Sequence, residues 1–149
     1  PTAIARGRKV FRELNLKGEF QIARLEELPF ADGTFDAVID ICCLQHNSES
    51  VAREMIAEIR RVLRPGGFHF SLTVKDGTWG EGTGERVDAT SFFDVKDGPF
   101  VGMDTIRFAT LESLQDLYRE FSETSFEYSI RSDCQRQKQI GHWQVSVRK

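Results

Sequence analysis

Residues Leu28–Gly67 read LPFADGTFDAVIDICCLQHNSESVAREMIAEIRRVLRPGG, and this stretch decides the fold. Pro29 and Asp32-Gly33 mark a tight turn. From Phe35 to Leu44 the apolar residues are nearly continuous, and Asp40 breaks the run, as in a strand buried on both faces of a parallel sheet. Asn47 or Ser48 can cap the next helix, in which Val51, Met55, Ile59 and Val62 recur every three or four residues. Pro65-Gly66-Gly67 forbids its continuation. Beyond it Phe68, Phe70, Leu72 and Val74 alternate with His69, Ser71 and Thr73, which predicts a strand with an apolar and a polar side. A strand-helix-strand unit with so long a crossover requires parallel neighbours and a right-handed connection.

Upstream, Pro1 suits a first helical position, and Ile4, Val10, Phe11 and Leu14 share one face of a helix that ends near Asn15 and Gly18. Phe20–Ala23 has strand character, followed by a loop. Downstream, Asp76 to Ala109 carries no clear period, and Trp79, Phe92, Phe93, Phe100 and Met103 are scattered through it. Loops of that length usually cover a site. Thr110 caps a helix with Leu111, Leu114, Leu117, Tyr118 and Phe121 on one face. Phe126, Tyr128 and Ile130, then Trp143, Val145 and Val147, alternate on either side of a polar connection and predict a terminal antiparallel hairpin. The strands at Phe20, Ala37, Phe68, Phe126 and Trp143 are expected to form one sheet.

The 149 residues are 40% hydrophobic, enough for one domain with a core. Lys and Arg number 20 against 23 Asp and Glu, for a net charge of -3, so no basic field is available for a nucleic acid backbone. No apolar run approaches the ~18 residues of a membrane span, and the N-terminus lacks the build of a signal peptide; a cytoplasmic protein is expected. Three Cys without paired spacing argue against disulfides and a metal site.

The turn Leu28-Pro29-Phe30-x-Asp32-Gly33-x-Phe35-Asp36, His46 past the far end of the strand, and Leu63-Arg64-Pro65-Gly66-Gly67 after the helix together resemble the class I S-adenosylmethionine-dependent methyltransferases. The resemblance implies a Rossmann-like, mostly parallel α/β sheet with a terminal antiparallel hairpin. Residues 1–149 would be a single domain, incomplete at its N-terminus. Pro1 matches the helix that follows the family's ribose-binding acid, so that acid, the glycine-rich turn that takes the methionine part and the first two strands are absent. The terminal hairpin also fits this family better than a dinucleotide dehydrogenase, whose glycine fingerprint is missing.

The resemblance places the cofactor, S-adenosylmethionine, over the carboxyl ends of the strands. Arg24 and Leu25 match the adenine-holding pair. Arg24 stands where the family has Asp, and a guanidinium cannot accept from an adenine amino group; adenine is then read by the Leu25 backbone, or Arg24 is a solvated surface cation. Asp40, Ile41 and Cys42 match the cofactor-lining positions of the next strand. Asp40 either attracts the cofactor's ammonium or sulfonium, or accepts backbone N–H bonds at the strand end. His46 titrates in the useful range and is the candidate catalytic base; capping or packing is its alternative role. Cys42 and Cys43 read as small core hydrophobes, and His69 and His142 as structural residues on the polar sides of strands. The implied reaction is methyl transfer to a small-molecule acceptor, with Trp79, Phe92, Phe93 and Phe100 as pocket walls or as a satellite core. The alternative is a catalytically silent fold that pairs its open sheet edge with a second copy.

Overall fold

The computed structural model describes residues 2–149, so the assignment of Pro1 as a helix start lies outside the described residues. Helix α1 (Thr2–Glu13) is followed by β1 (Phe35–Ile41), a short 3-10 turn (Leu44–His46), α2 (Glu49–Val62) and β2 (Leu63–Val74). Three short strands come next, β3 (Glu85–Arg86), β4 (Ser91–Phe93) and β5 (Thr105–Arg107), then α3 (Leu111–Leu117) and the long hairpin β6 (Ser122–Asp133) and β7 (Lys138–Arg148).

The main sheet has the order β1-β2-β7-β6. β1 and β2 run parallel, joined through α2, and β7 lies antiparallel between β2 and β6. Four of the five expected strands are therefore present in one sheet. Phe20–Ala23 is not among them, because no neighbouring strand offers it a ladder of hydrogen bonds. Phe20 instead packs edge-on against Phe11, ring centroids 4.7 Å apart. That contact is what the apolar side of α1 covers, and none of the residues of α1 is buried.

The connections behave as their chemistry predicts. The Ser48 hydroxyl accepts from the Val51 amide at the start of α2, and Thr110 and Ser113 form a reciprocal capping box on α3. The helix-to-strand reversal needs Gly67, where a Cβ would lie 2.8 Å from the Arg64 carbonyl oxygen.

Burial departs from the expectation in one respect that governs everything else. On β2 it is His69, Ser71 and Thr73 that are buried, while Phe68, Phe70 and Leu72 are half-exposed. Helices α2 and α3 both cover the same face of the sheet, where Leu44, Met55, Ile59, Leu114, Tyr118 and Trp143 form the main core. On the opposite face Ile39 pairs with Phe70 and Ile41 with Leu72, and Ile39 is 66% exposed. β1 is thus an edge strand covered on one side, not a strand buried on both.

The stretch after β2 contains a second small sheet, β3-β4-β5, which the missing periodicity concealed because strands this short show no period. It encloses a satellite core of Val74, Phe92, Val95, Phe100, Ile106 and Phe108. Phe92 and Phe100 each stand edge-on to Phe108 within that core, while Phe93 is 44% exposed. The helix face of α3 keeps Leu114, Leu117 and Tyr118 inside but leaves Leu111 exposed.

This one-sided burial sets contrasting mutational costs. Ile59→Ala, in the core, is expected to lose about 2–5 kcal/mol, and Ile39→Ala, on the open face, to stay within about 0.5 kcal/mol of the parent, as read by urea unfolding of the two variants.

Candidate functional site

Three elements converge at the carboxyl end of β1: the loop from Glu19 to Phe30, the last residues of β1, and Cys43 at the start of the 3-10 turn. They line a cleft of about 460 Å³ that contains Leu25, Val38, Asp40 and Ile41. The loop is positioned by Arg61 of α2. Its guanidinium donates to the carbonyls of Phe30 at 2.8 Å and Leu28 at 3.1 Å and to Asp32 at 2.7 Å, while Glu58 accepts from Arg61 and from the Leu28 amide. The side-chain bonds to Glu58 and Asp32 hold Arg61 firmly in its charged form, and those to Arg61 hold the Glu58 carboxyl below the usual carboxylate range.

Asp40 is buried at the cleft floor. One carboxylate oxygen accepts from the Cys43 amide at 2.9 Å and the other from the Ser71 hydroxyl at 2.7 Å. Behind it lies a polar pair inside the core. His69, 0% exposed, has Nδ1 3.0 Å from the Val38 carbonyl and Nε2 3.2 Å from the Tyr118 hydroxyl. Since the carbonyl can only accept, Nδ1 carries the proton and Nε2 accepts from the phenol. Burial pushes the His69 pKa down and the Tyr118 pKa up, so both stay neutral. His69 lies on the polar side of its strand, and that side is buried because α3 lies over it.

The turn that leaves β1 is strained. Cys42 has φ 61°, a left-handed conformation costing a side-chain-bearing residue about 1–2 kcal/mol, and its amide donates to the Leu72 carbonyl at 2.9 Å. Such outliers persist at functional sites because the surroundings over-determine them. Cys42 is half-buried and Cys43 exposed, so neither is the core hydrophobe expected. Burial and the charge of Asp40 raise both thiol pKa values, which keeps them un-ionised.

The structure brings Leu25, Asp40 and Ile41 into the one cleft. Arg24 does not line it: its side chain is 81% exposed and paired with Glu26 at 2.9 Å, the solvated alternative considered above. His46 ends the 3-10 turn, exposed, its Nε2 3.4 Å from the Gln45 amide nitrogen. His142 is half-buried on β7, with its pKa lowered by burial and by Arg131. Two groups near this end of the sheet escaped the sequence reading. Gln45 and Arg107 are both buried, and Arg107 stands alone as a charge in the apolar run Ile106-Arg107-Phe108-Ala109, a signal that was available. Among the described residues no group of three or more His, Cys, Asp or Glu is placed to hold a metal ion, and no helix is long and apolar enough to cross a membrane.

The parallel β1-α2-β2 unit, the inserted antiparallel β7 and the cleft over the end of β1 can be compared with known proteins. A family profile described as the methyltransferase domain matches residues 1–67. A solved S-adenosylmethionine-dependent methyltransferase from Methanosarcina mazei superposes with a TM-score of 0.75 at 18% identity, over 99% of this chain and 77% of that one. The chain has the class I S-adenosylmethionine-dependent methyltransferase fold. The 1,6-didemethyltoxoflavin-N1-methyltransferase of Burkholderia thailandensis, solved with bound 1,6-didemethyltoxoflavin and S-adenosylhomocysteine, gives a TM-score of 0.62 at 16% identity, over 95% of this chain and 55% of its own. The 4+2 cyclase SpnF gives 0.64 at 19%, over 98% and 62%. This chain therefore spans between about half and about three quarters of these proteins. No curated protein sequence matches it.

The buried His69 makes stability depend on pH. Its native pKa lies below the unfolded value near 6.5, so the unfolded chain binds more protons in mild acid; the stability is fully present above that value and falls as pH drops through it. The urea midpoint is expected to fall between about pH 7.5 and about pH 5.5, and His69→Gln to flatten that fall, leaving the contribution of His142, which has the same sign.

Proposed function

We propose that the protein from which this chain comes transfers a methyl group from S-adenosylmethionine to a small-molecule acceptor in the cytoplasm. The observation that carries this reading is the meeting of Leu25, Asp40 and Ile41 in one cleft at the carboxyl end of β1, within a fold shared with methyltransferases. In such sheets the ligand lies beyond the strand ends.

In this reading Leu25 and Ile41 form the apolar shelf for adenine. Asp40 supplies negative charge on the side of the sulfonium and the amino group, its position fixed by Cys43 and Ser71. Cys42 gives the strand end its sharp change of direction. Arg24 serves at most through its backbone, since its guanidinium is engaged by Glu26. Methyl transfer itself requires nucleophile, methyl carbon and sulfur in line, and the protein's task is mainly to hold them so. His46, exposed at the mouth, is the group available to take a proton from an acceptor that must lose one.

The family's glycine turn and ribose acid are not among residues 1–149, and each charge-assisted hydrogen bond lost costs about 1.5–3 kcal/mol, so this chain by itself is expected to bind S-adenosylhomocysteine weakly. NMR suits that regime. Titration should shift the backbone amides of Leu25, Asp40 and Ile41, and Ile41→Trp, which fills the cleft, should abolish the shifts. Perturbations confined to other parts of the chain would overturn the assignment.

A second reading is favoured by β1 itself, whose outer edge has no strand partner and whose Ile39 and Ile41 are exposed. Free edges with apolar faces recruit partners, and a silent, self-associating fold would show dimers in light scattering over a concentration series. A monomer at every concentration removes this reading and leaves the first untouched.

A further inference from the structure

Arg107 is 1% exposed, and among the described residues none of its three guanidinium nitrogens has a hydrogen-bond partner. It ends β5, opposite Ser91 of β4, and β5 packs against the 3-10 turn that holds Gln45. Ser91 and Gln45 are also buried, and each presents an oxygen without a partner. A guanidinium keeps its proton in folded proteins, so this is a permanent buried cation.

The groups whose charge it feels are Tyr118, Glu49, Asp88 and Asp40, and each is engaged elsewhere. Asp88 accepts with one oxygen from the Glu49 amide and with the other from the amides of Thr90 and Ser91. Asp40 is held by Cys43 and Ser71, Glu49 by Arg53 at 3.1 Å, and the buried Tyr118 remains a phenol bonded to His69. A buried charge is ordinarily paired or hydrogen-bonded. Here the fold has spent every nearby acid on the backbone or on another side chain and left the fork of Arg107 free.

We propose that Arg107 is the receptor for a carboxylate on the methyl acceptor, with the Gln45 amide and the Ser91 hydroxyl as its polar flanks. A planar carboxylate matches the planar guanidinium with two parallel N–H···O bonds, and its single negative charge neutralises the site. The position suits this role, since β5 borders the turn that leaves β1 and so lies beside the cofactor cleft. Arg107 is enclosed, so a carboxylate reaches it only when the structure around it opens. That the carboxylate belongs to the methyl acceptor rests on the methyl-transfer reading; the anion receptor itself does not.

The test is the thermal midpoint of the chain and of its Arg107→Met and Arg107→Lys variants in chloride, acetate, benzoate and phosphate at one ionic strength. Acetate or benzoate should raise the midpoint of the parent chain by about 3 °C or more at tenfold excess over Kd. Arg107→Lys should need at least about tenfold more carboxylate for the same shift, since it keeps the charge but loses the fork. Arg107→Met should show no carboxylate response and, in chloride, a midpoint equal to or above that of the parent, because it removes a buried charge that no protein group hydrogen-bonds. A carboxylate response that survives in Arg107→Met, no response in the parent, or stabilisation by phosphate alone would overturn the proposal. So would an Arg107→Met chain that melts well below the parent or fails to fold, since Arg107 would then be serving the fold. Failure of the S-adenosylhomocysteine titration with an intact carboxylate response would count against the methyl-transfer reading and leave the receptor standing.

Discussion

The five-bond clamp of Arg61 holds the two halves of this site together. From the last turn of α2 it reaches back to the Leu28–Gly33 turn, taking two backbone carbonyls and the Asp32 carboxylate, while Glu58 on the same helix receives the Leu28 amide. The Gly33 amide closes the connection by donating to the Arg61 carbonyl. The apolar contacts of this loop, Phe30 edge-on to Phe35 at 4.8 Å and Leu25 against the main core, carry little direction, so the charge-assisted bonds of one guanidinium fork set where Leu25 and Leu28 sit relative to Ile41. The turn motif before β1 and the helix before the glycine pair are thus one structural unit separated by thirty residues of sequence.

From that unit the sheet grows in one direction. β2 receives β1 on one side and β7 on the other, and the chain end is drawn in when the Lys149 ammonium donates to the Leu63 carbonyl at 2.6 Å. Both helices beyond α1 settle on the same face. The consequence is an unusual exchange of places: polar His69, Ser71 and Thr73 lie inside and Phe68 and Phe70 are half outside. The Thr73 hydroxyl has no partner among the described residues, but the larger polar groups of this face find one another. His69 is bonded at both ring nitrogens, Ser71 is bonded to Asp40, and the Trp143 indole donates to the Ala109 carbonyl at 2.7 Å. Each bond adds little net stability, but leaving its members unpaired would cost much more. The same rule makes Arg107 conspicuous, since among these buried groups it alone is a full charge without a partner.

That a methyltransferase and a cyclase both share this fold illustrates that a sheet of this order offers a place for chemistry without choosing the reaction. The choice lies in the side chains at the strand ends. In this chain they are a fixed carboxylate, a strained strand-to-turn junction at Cys42, an exposed imidazole and an enclosed guanidinium.

Local chemistry was legible in the sequence wherever a residue's effect is felt within a few positions. The cap at Thr110 and one of the two candidates for α2, Ser48, are where the hydroxyls predicted them, Pro65-Gly66-Gly67 ends α2 because a helix cannot pass it, and alternating residues formed the β6-β7 hairpin. The strand-helix-strand unit from Phe35 to Val74 was readable for the same reason, whereas the grouping of Leu25 with Asp40 and Ile41 was implied by the family resemblance. What the sequence alone could not decide is anything that depends on a second surface. Alternation along β2 announces two unlike faces but not which of them the helices will cover, and the landing of α2 and α3 reversed the expected burial. Phe20–Ala23 has strand-forming residues, yet a strand exists only through hydrogen bonds to a neighbour. The isolation of Arg107 is likewise a tertiary property: four acidic or phenolic groups gather near it from distant parts of the chain, and only the folded structure shows that each already holds another partner.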